Sequence, residues 1–569
     1  MLIIVLYYNR QRRIEDNMLK KIFVFIVAIV LILAGVFIYY EVEYVGDEVD
    51  PFTYFDEFKN NKNNLVYDDT RVDVEEPVVE IDGRIFLRYE FINQYINDRV
   101  FYDYNEKKLT LTSAHDVVRL QEGDNTINYL GIDGVYTLKT INDALYISSN
   151  LVEDFFNVTI EKSNLEHLYI ATNAETPYKT ATIKNKSSIR THQQKKSKVV
   201  EKIEKEDVIV YSSEDGFSRI RSKSGMVGYV PTNELVNSKI GDTAESKLAE
   251  GYELNPLGET VKLMWDQTSP NGSVDLSSGK YANMSNINVL VPTWFQFEDE
   301  KGTLSNGGSS AYIEQAHAKG IKVFAMVRQN FEQPELTKPI LTSTVKRQKV
   351  INQILAFADT YKFDGVNIDI ENIQEDFSSG WVQFMRELYP QLKAKGLIVT
   401  VDVYMPSEWS THYCRNEVSE CCDYFMVMAY DQHWASSKTA GSVAEIPWVE
   451  EGIKNSLTEV PKEKLVLGIP LYARIWIESP SGLISRAYGM DEVQSIITKA
   501  GAKVIFDKPS GQKYAEFQTE EGAAQIWIED YDSIKKRLSF IETYKLAGYA
   551  AWRLGNESAD IWELFKTVK

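Results

Sequence analysis

Asp364-Gly365-Val366-Asn367-Ile368-Asp369-Ile370-Glu371 alternates polar and apolar side chains over its second half. A β-strand has period two, so Asn367, Asp369 and Glu371 share one face while Val366, Ile368 and Ile370 share the other. The apolar face packs against a neighbouring layer, and the polar face has to open on a cavity. Burying two carboxylates and an amide in a row costs desolvation free energy that packing alone does not return, so the face implies a site.

Seven further apolar runs flank this one: Val261–Trp265, Asn288–Trp294, Lys322–Val327, Ile398–Tyr404, Tyr424–Tyr430, Leu465–Tyr472 and Ala547–Trp552. Most are separated by helical patterns. Strand-helix alternation predicts an α/β fold with a parallel sheet, and eight repeats predict closure into a (β/α)8 TIM barrel over 256–569. The long gap between strands seven and eight, 477–530, carries its own strand and helix patterns and reads as an α+β insertion walling one side of the cleft. Active sites of such barrels lie at the C-terminal ends of the strands. All ten tryptophans fall beyond residue 260, and Trp265, Trp294, Trp434, Trp476 and Trp552 stand at or just past strand ends, where flat rings can stack on sugars. A core role competes with that reading for each of them.

The stretch from Asp364 to Glu371 resembles the DxxDxDxE motif of glycoside hydrolase family 18, with Asp364, Asp369 and Glu371 matching and Asn367 where most chitinases carry Asp. Met428-Ala429-Tyr430-Asp431, Gly468-Ile469-Pro470-Leu471-Tyr472-Ala473-Arg474 and Trp552 fit family motifs on strands six, seven and eight, and the resemblance spans about 258–569. It implies substrate-assisted hydrolysis, which needs no protein nucleophile. Glu371 would protonate the glycosidic oxygen, Asp369 would orient the 2-acetamido group and Tyr430 would donate to its carbonyl. Asn367, Asp364, Met428 and Asp431 would support these residues, and Trp552, Trp265, Trp294, Trp434, Trp476, Tyr472 and Arg474 would bind substrate. No cofactor or metal is implied. The substrate needs an N-acetyl group at C2, which leaves chitin, peptidoglycan and the chitobiose core of N-glycans; the membrane anchor and SH3-like module expected upstream put peptidoglycan first and chitin second. The rival is a catalytically dead wall-glycan lectin on the same fold; such relatives lose the terminal Glu of the motif, which is present here.

Upstream, Ile22–Tyr40 is a run of nineteen residues without a charge, long enough at about 1.5 Å per residue to cross a core of roughly 30 Å. Arg10, Arg12, Arg13, Lys20 and Lys21 precede it, and Glu41, Glu43, Asp47, Glu48 and Asp50 follow. The positive-inside rule makes 1–21 cytoplasmic, 22–40 a single-pass anchor, 41–74 a linker and the rest extracytoplasmic, with secretion after signal cleavage as the alternative. Met18 also looks like a natural start.

Residues 75–173 repeat at an offset of 59 to 60: Ile81 to Leu87 matches Ile141 to Ile147, and Leu109 to Thr112 matches Leu168 to Ala171. The repeat resembles the small domain at the N-terminus of copper amine oxidase, also found in Gram-positive surface proteins, and reads as a spacer or wall-docking module without copper. Residues 178–239 resemble a bacterial SH3-like β-barrel, with Phe217 replacing a commonly seen Trp; a passive spacer is the competing reading.

A chain of 569 residues suggests three or four domains. A net charge of -20 argues against a nucleic-acid partner, and the basic run Lys184 to Lys205 is interleaved with Glu201 and Glu204. Cys414, Cys421 and Cys422 are expected as buried small residues, although Cys414 could pair with one of the others. The six histidines lack metal-ligand spacing.

Overall fold

The computed structural model describes residues 1–39, 46–54, 62–129, 132–175, 177–241, 254–269 and 274–569. Tyr40, Glu41, Glu43 and parts of the expected linker lie outside them. The described residues form two compact units, one holding residues up to 96 and 127–241, the other 97–126 and 254–569. The repeat segment 75–173 therefore contributes to both.

In the first unit, a helix runs over Leu2–Ile38, longer than the apolar run itself, and is long and apolar enough to cross a membrane. The two halves of the repeat begin alike. Val78–Ile81 and Arg84–Arg88 form one hairpin, and Ile132–Ile141 and Ala144–Ser148 form another. Their turns, Asp82-Gly83 and Asn142-Asp143, have positive φ at both central residues, the geometry that matches strand twist in two-residue hairpins. Both hairpins join one sheet, and each is followed by a helical turn that buries Phe91 or Phe155. Residues 179–240 form a seven-stranded sheet around Ile183, Ile189, Val208, Ile220 and Val230.

The second unit is the barrel. Its strands are β1 (Val261–Asp266), β2 (Val289–Pro292), β3 (Lys322–Arg328), β4 (Gly365–Asp369), β5 (Ile398–Tyr404), β6 (Tyr424–Met428), β7 (Leu465–Pro470) and β8 (Gly548–Trp552). All neighbours are parallel, β8 pairs with β1 and β2 pairs with β3, so the ring closes. Val366, Ile368 and Ile370 pack outward into the main core with the helices, while Leu263, Trp265, Phe324, Met326, Tyr424 and Met426 fill the barrel interior. Between β7 and β8, five antiparallel strands from Tyr472–Ser479 to Gly522–Ile528 and the helix Met490–Ala500 make the inserted lobe. The three cysteines are free; Cys421 and Cys422 are buried just before β6 and Cys414 is half-buried.

Residues 97–126 give this unit a three-stranded sheet: Val100–Asp103, Lys108–Thr112 and Val117–Gln121. Asp103 Oδ2 accepts from Thr344 N at 2.9 Å and Glu106 Oε2 from Val345 N at 3.1 Å, so both acids sit at the start of helix Thr344–Tyr361. There they satisfy amides that a helix start leaves unpaired. Arg347 of that helix is fully buried, bound to Glu387 at 2.9 Å and lying over the Phe101 ring at 5.0 Å.

Candidate active site

Asn367 and Asp369 reach the inner wall at the C-terminal end of β4. The β4–β5 register pairs Asn367 with Thr400 and Ile368 with Val401, so Asp369 and Asp402 stand side by side one step further along. Asn367 Nδ2 donates to Thr400 Oγ1 at 2.9 Å and to Asp402 Oδ1 at 2.8 Å. Trp265 Nε1 donates across the barrel to Asp402 Oδ2 at 3.1 Å. Glu371 emerges just past β4, where its Oε2 accepts from the Tyr404 hydroxyl at 2.5 Å, and Tyr413 donates to its backbone carbonyl.

Tyr430 follows β6, and β7 makes room for it with Gly468. A Cβ there would stand 3.2 Å from the Tyr430 ring and 2.6 Å from the Val427 carbonyl oxygen. Asp431 adopts positive φ and accepts from the Tyr472 hydroxyl at 2.6 Å, with Arg474 at 3.7 Å. Arg328, the last residue of β3, pairs in register with Asp369.

Burial, then the charges of Glu371 and Asp402, holds the Asp369 carboxyl well above the usual range, against the pull of Arg328. Burial also raises Glu371, although hydrogen bonds from Tyr404 and Asp369 oppose it. Two carboxyls in such contact do not ionise together, so the pair retains a proton at neutral pH. Asp402 is pushed up to about 8, chiefly by burial. Burial raises Tyr430 far above its ordinary value, which keeps it a neutral hydrogen-bond donor.

The sequence model of glycosyl hydrolases family 18 matches residues 263–557. The chain belongs to this family. Family 18 membership makes it a glycosidase, with relatives among spore cortex-lytic enzymes. The uncharacterized glycosylase YvbX of Bacillus subtilis (strain 168) is 24% identical over 295 residues, which are 49% of this chain and 84% of that protein. The cortical fragment-lytic enzyme of the same organism is 23% identical over 248 residues, 41% of this chain and 57% of that protein. The crystal structure of the Bacillus cereus spore cortex-lytic enzyme SleL aligns with a TM-score of 0.50 at 18% identity, covering 58% of this chain and 78% of that one, a likeness of fold.

Within this family 18 barrel, Asp369, Glu371, Tyr430 and Asp431 come together, with Asn367 beneath Asp369 and the buried Met428 at the end of β6. Asp364 does not join them. It precedes β4 at the opposite end of the barrel, accepting from Val323 N at 2.9 Å and meeting His317 at 2.8 Å. The tryptophans divide. Trp294 is 4% exposed and packs on Tyr312, and Trp476 is 1% exposed with its Nε1 bonded to the Gly441 carbonyl, so both are core residues. Trp265 is 1% exposed and lies under the site as a hydrogen-bond donor rather than an open platform. Trp552 is partly exposed with its ring 6.2 Å from Trp265, and Trp434 is 54% exposed.

Asp402, Tyr404, Trp409 and Arg328 join the site in the structure and lie outside the motifs that the sequence offers. The signal for the first two was present, since Thr400, Asp402 and Tyr404 alternate with Val399, Val401 and Val403 as the polar set of β4 does with its own. Trp409, on the loop after β5, is 62% exposed with its ring 5.7 Å from Tyr404.

Proposed function

We propose that the chain is a membrane-anchored, extracytoplasmic glycosidase that cuts β-1,4 linkages after N-acetylglucosamine in peptidoglycan, with substrate-assisted retention of configuration. The observation that carries this reading is the contact between the Asp369 and Glu371 carboxyls, facing Tyr430 at the mouth of the barrel. Asp369 accepts the acetamido N–H, and Tyr430 donates to the acetamido carbonyl oxygen. That oxygen attacks the anomeric carbon as Glu371 gives its proton to the departing glycosidic oxygen. Glu371, now a carboxylate, takes a proton from the water that adds to the anomeric carbon and regenerates the acetamide. The name of the cortical fragment-lytic relative supports a wall substrate, as do the resemblances of 75–173 and 178–239 to modules of surface proteins. The test compares kcat/KM on purified peptidoglycan with kcat/KM on chitohexaose. Release of soluble fragments at least tenfold more efficiently from peptidoglycan supports the reading, and the reverse order makes the protein a chitinase.

β4 and β5 lie across the eight-stranded ring from β8 and β1, so Glu371 and Trp409 stand on the side of the mouth opposite Trp552. Trp552 floors the sugar that carries the attacking acetamide, and Trp409 carries the leaving saccharide. Trp409→Ala lowers kcat/KM on chitohexaose about tenfold, the worth of roughly 1.4 kcal/mol of ring stacking. An aryl chitobioside, whose leaving group is too small to span that platform, loses threefold or less. Equal losses on both substrates would make Trp409 structural.

The uncharged run 22–40 is the proposed anchor, with the helix that carries it described as far as Ile38. The protein stays with membranes through high-salt washing, and protease added to protoplasts digests all but a fragment of a few kilodaltons. A mature chain in the culture medium starting near residue 41 would instead establish a cleaved signal.

A further inference from the structure

Asp402 is a carboxyl of the barrel floor to which the mechanism above gives no task. It lies beside Asp369 on the adjacent strand, about 4.8 Å away by inter-strand spacing. Asn367 Nδ2 donates to one of its oxygens and Trp265 Nε1 to the other. It is almost fully buried, and among the described residues no Lys, Arg or His side chain lies within ion-pair distance of it. A sealed carboxyl without a cation is retained against a large desolvation penalty.

We propose that Asp402 is a positioning residue whose charge, beside Asp369 and accommodated by the amide of Asn367, governs whether Asp369 is ionised when it receives the substrate's acetamido N–H. The inference rests on the assignment of Asp369 made above. Asn367 suits both charge states of its neighbour. Nδ2 donates to Asp402 whether the acceptor is a carboxylate oxygen or the carbonyl oxygen of the neutral acid, while Asn367 Oδ1 accepts from Trp265 Nε1 at 3.4 Å. The Thr400 hydroxyl accepts from the same Nδ2 at 2.9 Å and donates to the Val366 carbonyl at 3.3 Å, which fixes the amide in this orientation. A carboxyl at 367 in place of the amide could donate to Asp402 only by holding a proton of its own.

The charged and titratable groups around Asp402 and Asp369 are Glu371 after β4, Arg328 at the end of β3, Tyr404 on β5, and Tyr430 and Asp431 after β6. The charge of Asp402 is one of the causes that raise Asp369. Burial keeps Asp402 protonated up to about pH 8, which relieves Asp369 of a negative neighbour. With Asp402 neutral, the proton that Asp369 shares with Glu371 passes to Glu371 as the acetamido N–H arrives at Asp369, the arrangement that hydrolysis needs. Above that pH the charge of Asp402 returns and holds the proton on Asp369.

The experiment is a kcat/KM series against pH for the wild type, Asp402→Asn, Asn367→Asp and the double variant. The substrate is chitohexaose or a peptidoglycan tetrasaccharide, whichever the wild type cleaves. The wild-type alkaline limb falls near pH 8. Asp402→Asn is neutral at every pH, so its limb moves up by about one unit or more while the plateau stays within about tenfold. Asn367→Asp shares one proton with Asp402 and keeps the pair charged, so its limb moves down. The double variant, with one carboxyl transposed to β4, returns toward the wild type, which a merely structural role would not produce. If Asp402→Asn does not fold, Asn367→Asp and the double variant decide. Unmoved limbs, limbs that move the same way in both single variants, or a hundredfold loss at every pH in Asp402→Asn would each overturn the proposal. A wild type inactive on every 2-acetamido glycoside would instead overturn the assignment of Asp369.

Discussion

Glu371→Gln lowers kcat by about 10²–10⁴-fold while substrate binding and thermal unfolding stay close to wild type, because a positioned general acid is worth about that much. The amide keeps the shape of the side chain and can accept from Tyr404, which in the wild type donates to Glu371 Oε2. What it cannot do is pass a proton to the glycosidic oxygen. A dead lectin on the same fold would show no activity for the substitution to remove. Steady-state rates of both proteins on one N-acetylated oligosaccharide, with isothermal titration for binding, check the prediction; residual activity within a few-fold of wild type would refute the role of Glu371.

The second large effect concerns stability. A barrel produced from residue 256 onward lacks the sheet of 97–126, and with it the partners of helix Thr344–Tyr361. Asp103 and Glu106 no longer meet the first amides of that helix, each such cap being worth about 0.5–2 kcal/mol. The Arg347–Glu387 pair, wholly buried in the intact unit, loses the Phe101 ring above it and the Arg119 guanidinium 3.3 Å from Glu387. Arg386 loses the Asp98 carboxylate at 2.6 Å, and Glu420 loses Arg99 at 2.7 Å. Together these amount to several kcal/mol, so the truncated barrel melts about 10 °C or more below the intact chain or is recovered insoluble. Differential scanning calorimetry of the two proteins measures it. Equal melting of the barrel transition would mean that the sheet adds nothing to the barrel.

The barrel was legible because its strands announce themselves as separate apolar runs, and the catalytic strand because its alternation separates core from cleft. The same alternation runs along β5, but Val399, Val401 and Val403 dominate its pattern and the polar set Thr400, Asp402 and Tyr404 belongs to no motif that marks it as a site. Position along the chain also misled at Trp294 and Trp476. Both lie near strand ends, but which way a ring turns after a strand stops is decided by partners such as Tyr312 and the Gly441 carbonyl, which are remote in sequence. Asp364 belongs to the same motif as Glu371 yet precedes the strand that Glu371 follows, so a shared motif did not mean a shared site. The docking of 97–126 had no local signal, since Asp103 and Thr344 are 241 residues apart.

The measurement that tests the central claim most directly is the identity of the sugar left at the new reducing ends when purified peptidoglycan is digested, fixed by borohydride reduction and mass spectrometry, with Glu371→Gln as the control. The account predicts reduced N-acetylglucosamine, formed by the wild type and absent from the control. Reduced N-acetylmuramic acid at the new ends, or equal product from both proteins, would contradict it.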